Sequence, residues 1–241
     1  MIKILQEKYM YGILLIIVAF LAITYSMTIA VIYMAMIVGT YFLQKAYNTK
    51  MNFDSKPNNT FQSLLVAILA VGAFTIFTMF LYATFKGIFA VATPQSIFAG
   101  NLQSMWGNLL SATLILEKNV YVTFFTFAIL IPYIETMLLI TIYEAVCSSF
   151  GIDAFNWKGF GNILVYLAMG AGFVWFHIQA KGLGFGNDAA VLGSVFFFAI
   201  LSCGIAAYMR EKEAAIYAHQ LNNGVAIYQK LFAVIKPLAG I

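Results

Sequence analysis

Charged side chains are scarce in this sequence: Asp, Glu, Lys and Arg together make up 9% of its 241 residues. A soluble domain carries about 25% charged residues and needs them to cover its surface. Apolar residues account for 63% of the chain. This composition excludes a soluble globular protein and predicts a single integral membrane domain that occupies residues 1–241, with no separate soluble domain.

Cysteine and clustered basic charge are also in short supply. Cys147 and Cys203 lie in or beside apolar segments, where two separate core residues are a commoner outcome than a disulfide or a metal pair. The net charge of +4 comes from scattered lysines and arginines. The sequence has no stripe of basic residues of the kind that would indicate binding to nucleic acid. The lipid bilayer is therefore the predicted partner, with the basic residues at its edges.

Long apolar runs define the expected spans, because a transmembrane helix needs about 20 apolar residues. Residues 11–42 form a run that is too long for one span, so we expect either two helices that meet near Ser26 or one long tilted helix. The first of these spans is read as retained rather than as a cleaved signal sequence. The further predicted spans are residues 63–84, 120–147, 161–180, 189–208 and 214–235. The predicted fold is an all-α polytopic transmembrane bundle of about seven spans.

Polar stretches separate these spans. Residues 86–108 predict an interfacial or re-entrant segment, residues 148–158 a loop and residues 181–186 a turn. Under seven crossings, the basic N-terminus, the lysine-rich loop 45–56 and the Arg210 connector all fall on one side. The excess of basic residues predicts that this side is cytoplasmic.

One carboxylate interrupts an apolar run. Glu135 lies three residues after Pro132, in a segment that otherwise reads as membrane-spanning. A charge near the bilayer centre costs at least ~2.5–3.5 kcal/mol, so an ionisable residue there marks a functional site by default. Glu144 lies nine residues further on and would face the opposite side of a regular helix. We expect it to be a helix-end residue near the surface and not a partner of Glu135.

The two histidines of the chain lie in later apolar segments. His177 ends a run that begins at Phe173, and His219 precedes Asn223 by four residues. Residues four apart share a helix face, and polar groups within a membrane face the bundle interior or a wet cavity. We therefore expect Glu135, His177, His219 and Asn223 to converge on one cavity. Individually, these histidines and asparagines could also be hydrogen-bonded contacts between helices.

These four side chains fit the activation of water. Desolvation in an apolar cavity makes a carboxylate more basic, and a more basic carboxylate is a better general base near neutral pH. One imidazole can assist or carry the proton. A second imidazole and an amide can donate hydrogen bonds to an oxyanion. The set is a hydrolase constellation that has no Ser or Cys nucleophile.

The order and spacing of these residues resemble three motifs of a known family. The motifs read Pro132-x-x-Glu135, Phe173-x-x-x-His177 and His219-x-x-x-Asn223. They resemble those of the CAAX-protease and bacteriocin-processing family, whose members are intramembrane glutamic endopeptidases with an all-α transmembrane fold. The resemblance covers residues 124–227, within a motif-bearing core of about residues 120–236.

The resemblance implies a role for each residue. Glu135 would activate water with the help of His177, while His219 and Asn223 would form the oxyanion hole. The substrate would be a membrane-associated peptide or protein, and no cofactor or metal is implied. The chain departs from the family pattern at Thr136, which replaces a second glutamate, and at Ile140, which replaces an arginine.

Those departures favour a second hypothesis, a non-enzymatic membrane subunit or immunity-type pseudoenzyme that binds a membrane protein partner. A third hypothesis uses both histidines and Glu135 to hold a metal, or the two histidines to hold a haem. A fourth is a proton or ion carrier that uses Glu135.

Overall fold

The computed structural model describes residues 11–18, 27–47, 60–89, 120–181 and 189–238. Within these ranges the regular structure is helical and contains no strand, which confirms the predicted all-α class. Residues 11–18 are helical. The remaining helices are α1 (Met27–Tyr47), α2 (Thr60–Phe89), α3 (Val120–Phe124), a π-helix (Phe125–Leu130), α4 (Ile131–Ser149), α5 (Phe160–Lys181), α6 (Ala189–Met209) and α7 (Glu213–Leu238).

Four stretches of helix are long and apolar enough to cross a membrane, and they indicate a membrane protein. They are Thr60–Thr84, Phe125–Ser149, Phe160–Gln179 and Ala189–Met209. All four coincide with predicted spans. α7 is helical as predicted but is less apolar, because its first three turns contain Glu213, His219 and adjacent asparagines. The total of about seven spans stays a prediction.

Several sequence predictions fall outside the described residues. These are the basic N-terminus at residues 1–10, the junction near Ser26, most of the interfacial segment 86–108 and most of the turn 181–186. The start of segment 86–108 is described, and it differs from the prediction. α2 continues to Phe89, because the apolar run extends past Thr84 with only one lysine in it.

α4 and α7 lie at the centre of the described bundle. α4 packs against α1, α5, α6 and α7, while α7 also packs against α2 and the π-helix. Small buried residues such as Ala206, Ala214 and Ala218 lie in the core that α4, α6 and α7 share. Small side chains allow helix backbones to approach closely. This close packing brings polar side chains of α4 and α7 within reach of one another.

Pro132 is preceded by a π-helix, which ends two residues earlier at Leu130. The Ile131 N–H donates to the carbonyl of Thr126, five residues earlier. Proline has no N–H, so Pro132 cannot donate in the same way to Phe127. The Asn223 side chain of α7 supplies that donor instead, with Nδ2 at 3.1 Å from the Phe127 carbonyl oxygen. Short π-helical segments are frequent at functional sites.

The ends of several helices meet at one end of the bundle. Ser63, at the start of α2, donates a hydrogen bond to Glu211 in the connector between α6 and α7. Arg210 takes a left-handed φ of 59° directly after α6 ends. Tyr11 donates a hydrogen bond to Gln44 near the end of α1. The charge pattern predicts the 45–56 loop and the Arg210 connector on one side, but residues 48–56 of that loop lie outside the described residues.

The loop after α4 lies at this same end. The Arg210 guanidinium lies 5.5 Å from the ring centroid of Phe155. Trp157 packs edge-on against Tyr208, and the Lys158 ammonium lies 4.7 Å from the Trp157 ring centroid. Tryptophan, tyrosine and lysine in this arrangement are typical of a membrane–water interface.

Candidate functional site

Glu135 is buried at the centre of the site. Its side chain on α4 is 1% exposed. The hydroxyl of Tyr33, on α1, donates a hydrogen bond of 2.6 Å to Oε1. A buried carboxylate needs such donors, because an isolated charge in an apolar interior is costly. This bond fixes the position of Oε1, while Oε2 lies on the side of the carboxylate away from Tyr33.

His219 lies beside that second oxygen. Its Nε2 is 3.9 Å from Oε2 of Glu135, which is too long for a direct hydrogen bond. Its Nδ1 is 2.9 Å from the Thr136 hydroxyl oxygen, and the Phe198 ring packs against the imidazole with 4.5 Å between centroids. Side chains of α1, α4, α6 and α7 therefore enclose the Glu135–His219 pair.

The Thr136 contact bears on the tautomer of His219. A neutral imidazole has one N–H donor and one acceptor nitrogen, whereas a threonine hydroxyl can do either. An N–H on Nε2 would face the Glu135 carboxylate, which is the electrostatically favourable arrangement. Thr136 would then donate its hydroxyl hydrogen to Nδ1. The Thr136 hydroxyl thus holds the imidazole ring in place.

His177 is completely buried on α5. Its Nδ1 donates a hydrogen bond of 2.8 Å to the carbonyl of Phe173, one turn earlier. The imidazole also packs edge-on against the rings of Phe173 and Phe176. With Nδ1 as the donor, Nε2 of the neutral ring is an acceptor. These contacts orient the ring from within its own helix.

Asn223 faces the π-helix. It is 4% exposed, and besides its bond to Phe127 its Oδ1 accepts a long hydrogen bond of 3.4 Å from Asn222. Gln220, nearly one turn earlier, donates to the carbonyl of Ile129 at 3.1 Å. Two amide side chains of α7 therefore bond carbonyl oxygens of the π-helix, which is the interhelical role that membrane asparagines often have.

The described contacts bring Glu135 and His219 together, and they add two residues that sequence reasoning missed. Tyr33 gives no signal in the sequence, because it is one of several aromatic residues in an apolar run. In the sequence, Thr136 stands out only as a departure from the motif that the chain resembles. Its position next to Glu135 is the one signal of its role, because consecutive residues of a helix point in different directions and can contact two different neighbouring helices.

The expectation for Glu144 is wrong. Glu144 is 5% exposed and therefore buried, not near the surface. The last turns of α4 remain inside the bundle, where they pack against α5, α6 and α7. Other helices cover α4 on more than one side. A residue on the face opposite Glu135 can therefore also be buried, as Glu144 is.

No three His, Cys, Asp or Glu side chains are grouped as a metal site anywhere in the described ranges. Glu135, His177 and His219 all lie within those ranges, so the metal hypothesis built on them gains no support. Cys147 and Cys203 are buried free thiols, in agreement with the prediction of two separate core residues.

Comparison of the chain with protein-family models, curated proteins and solved structures finds no match. The case for a function therefore depends on the geometry around Glu135 and on the motif resemblance.

Proposed function

We propose that this protein is a multi-pass intramembrane endopeptidase in which Glu135 activates a water molecule. The observation that carries the proposal is the buried Glu135–His219 pair, 3.9 Å apart and held by Tyr33 and Thr136. A buried carboxylate that lies beside a hydrogen-bond donor can act as a general base toward a water held between the two groups. The substrate class is a membrane-associated peptide or protein, as the motif resemblance implies.

The spacing of the pair fits one water molecule. Two hydrogen bonds of about 2.8 Å can bridge atoms 3.9 Å apart. Glu135 Oε2 would take a proton from this water while the water oxygen attacks the peptide carbonyl. The proton would pass to the leaving amine when the C–N bond breaks. Oε2 is the proposed basic oxygen because it is the one that faces His219.

His219 fits the oxyanion role better than the role of base. With its N–H on Nε2, it can donate first to the water and then, once the water oxygen has bonded to the carbonyl carbon, to the negative oxygen that develops on that carbonyl. The amide of Asn223 has two hydrogens, of which one serves Phe127, so the second can serve the oxyanion. His177 is the proposed assistant of Glu135, oriented by its bond to Phe173.

A non-enzymatic membrane subunit is the second candidate, and the Asn223–Phe127 bond gives Asn223 a structural role that needs no catalysis. That bond compensates for Pro132 and would be needed in the bundle whether or not any substrate is cleaved. The same holds for the Thr136–His219 contact. This candidate predicts that the protein forms a stable complex with a membrane protein partner. It also predicts that the function does not require the charge of Glu135.

The test replaces one buried carboxylate at a time. Purified wild-type protein, Glu135→Gln and Glu144→Gln are reconstituted in liposomes with fluorogenic lipidated and signal-peptide-derived peptides. We expect Glu135→Gln to lose at least ~100-fold in cleavage rate, because general-base catalysis contributes about 10²–10⁴-fold. Glu144→Gln, a buried carboxylate of the same helix, should keep its activity.

Equal cleavage by wild-type protein and Glu135→Gln would reject Glu135 as the base. Absence of cleavage by the wild type, together with a partner that copurifies equally with Glu135→Gln, would favour the non-enzymatic candidate.

A further inference from the structure

A small cavity of about 10 Å³ lies between α2, α6 and α7. Ser202 of α6 and Asn222 of α7 add a hydroxyl and an amide to a lining that otherwise consists of apolar residues of these three helices. Ser202 is 1% exposed. One water molecule needs a cavity of about 10–15 Å³. The cavity therefore has room for a single water and for nothing larger.

The amide of Asn222 has one satisfied end and one unsatisfied end. Its Nδ2 donates the long hydrogen bond of 3.4 Å to Asn223 Oδ1. Its Oδ1 is buried and has no hydrogen-bond partner within the described residues. A buried amide oxygen without a donor is costly, and internal water molecules typically satisfy such atoms.

The polar groups of the lining fit water better than other small occupants. A buried water needs about two to four polar partners. It can donate one hydrogen to Asn222 Oδ1 and share a second hydrogen bond with the Ser202 hydroxyl, which can donate or accept. A cation such as Ca²⁺ takes about six to eight oxygen ligands, whereas the lining side chains offer only these two oxygens. An apolar occupant would leave Asn222 Oδ1 unsatisfied.

We propose that one buried water molecule occupies this cavity, bonded to Asn222 Oδ1 and to the Ser202 hydroxyl, and that it makes Asn222 a positioning residue for Asn223. With its oxygen held by the water, the Asn222 amide keeps its N–H directed at Asn223 Oδ1. That bond fixes the Asn223 amide, whose N–H groups serve the Phe127 carbonyl and the proposed oxyanion. The water site is independent of the proposed function, whereas its effect on catalysis rests on that function.

The cavity adjoins the Glu135–His219 pair but is separate from it. Phe198 lines the cavity and also packs against the His219 imidazole, with 4.5 Å between ring centroids. Neither Glu135 nor His219 lines the cavity. The water held by Asn222 is therefore a fixed structural water, distinct from the one that Glu135 is proposed to activate.

A crystal structure of the protein grown in a lipid phase, at a resolution that shows ordered water, tests the site directly. We expect one water peak about 2.7–3.2 Å from both Asn222 Oδ1 and Ser202 Oγ. A map that shows ordered water elsewhere in the bundle but no peak in this cavity would overturn the inference.

The stability of single and double variants supplies a second measurement. Ser202→Ala and Asn222→Ala each remove one partner of the water, so each should lower the ratio of folded to unfolded protein about 5–30-fold. Because both changes release the same water, the double variant should lose clearly less than the product of the two single effects.

Ser194→Ala is the matched control for the cycle. Ser194 is as buried as Ser202 and lies on the same helix, but its hydroxyl bonds the Ala190 carbonyl one turn earlier. Its effect should multiply with that of Asn222→Ala. Effects of Ser202→Ala and Asn222→Ala that multiply in the same way would overturn the shared water.

Kinetics with the fluorogenic peptides test the positioning role. Ser202→Ala should lower kcat about 3–10-fold with KM unchanged, which is less than the ~10²–10³-fold loss on removal of an oxyanion donor, and Ser194→Ala should keep kcat. Equal kcat in Ser202→Ala and wild type would overturn the positioning role. A water peak in a wild-type protein that cleaves nothing would support the site while the proposed function, and the positioning role with it, fails.

Discussion

At the scale of single residues, the surroundings of Glu135 show how an acid can lie in an apolar bundle. Its two oxygens have different neighbours: the Tyr33 hydroxyl at 2.6 Å on Oε1 and the His219 imidazole at 3.9 Å from Oε2. A hydrogen bond to a charged group contributes about 1.5–3 kcal/mol. The two oxygens of this carboxylate therefore have different surroundings, one beside a phenol hydroxyl and one beside an imidazole.

Thr136 is predicted to position His219. Thr136→Val keeps the shape of the side chain but removes the hydroxyl partner of Nδ1, so it should lower the free energy of unfolding by about 1–3 kcal/mol. Thermal unfolding of the purified protein measures this. If the protein is an endopeptidase, kcat should fall more than KM changes, because the oxyanion donor loses its orientation.

Thr141→Val is the control for this prediction. Thr141 is buried on the same helix, and its hydroxyl has no hydrogen-bond partner within the described residues, so its removal should be neutral or slightly stabilising. Thr136→Ser should restore both stability and kcat. Equal effects of the two valine substitutions would show that the Thr136–His219 contact does not orient the ring.

The sequence could predict which residues are polar and buried, but not which of them touch. Glu135 is evident because an acid interrupts an apolar run. Tyr33 is separated from it by 102 positions, and its contact depends on α1 packing beside α4, which no local pattern encodes. The helical period alone predicts that His219 and Asn223 lie on one face of a helix. It does not predict that Asn223 bonds the carbonyl of Phe127, because that contact depends on the π-helix.

At the scale of helices, the π-helix and α7 form one coupled unit. Pro132 removes a backbone donor, and Asn223 replaces it from a neighbouring helix. The apolar runs predicted the helices themselves well, since four predicted spans appear where expected. They did not predict the change of helix type, because a proline can be accommodated by a kink or by a wider turn.

A double-mutant cycle tests this coupling. Asn223→Ala alone leaves the buried Phe127 carbonyl without its donor and should cost about 1–3 kcal/mol in unfolding free energy. Pro132→Ala restores an N–H that can reach that carbonyl. In the Pro132→Ala background, Asn223→Ala should therefore cost less, with a coupling of about 0.5–3 kcal/mol.

Asn222→Ala is the neighbouring control, because Asn222 contacts Asn223 but not the π-helix carbonyl. Its cost should be the same with Pro132 or Ala at that position. An Asn223→Ala penalty that is identical in both backgrounds would mean that the asparagine does not compensate for the proline.

At the scale of the whole molecule, contacts and charge pattern point to the same orientation. The Ser63–Glu211 bond and the approach of Arg210 to Phe155 bring the start of α2, the loop after α4 and the α6–α7 connector to one end. The distribution of basic residues predicts that the loop before α2 and the α6–α7 connector lie on one side, and that this side is cytoplasmic. The two arguments are independent, because one uses side-chain contacts and the other uses only the sequence.

Labelling of sealed membrane vesicles tests this orientation and the multi-pass proposal together. In a background with Cys147 and Cys203 replaced by alanine, single cysteines replace three exposed residues: Gln62, Asn156 and Gln179. An impermeant maleimide should label positions 62 and 156 from the cytoplasmic side, since both lie at the connector end. Position 179, near the far end of α5, should be labelled from the opposite side if α5 crosses the membrane between 156 and 179, as its length and apolar composition predict. Labelling of 62 and 156 from different sides would contradict the packing of α2 against α7, and labelling of all three from one side would remove α5 from the spans.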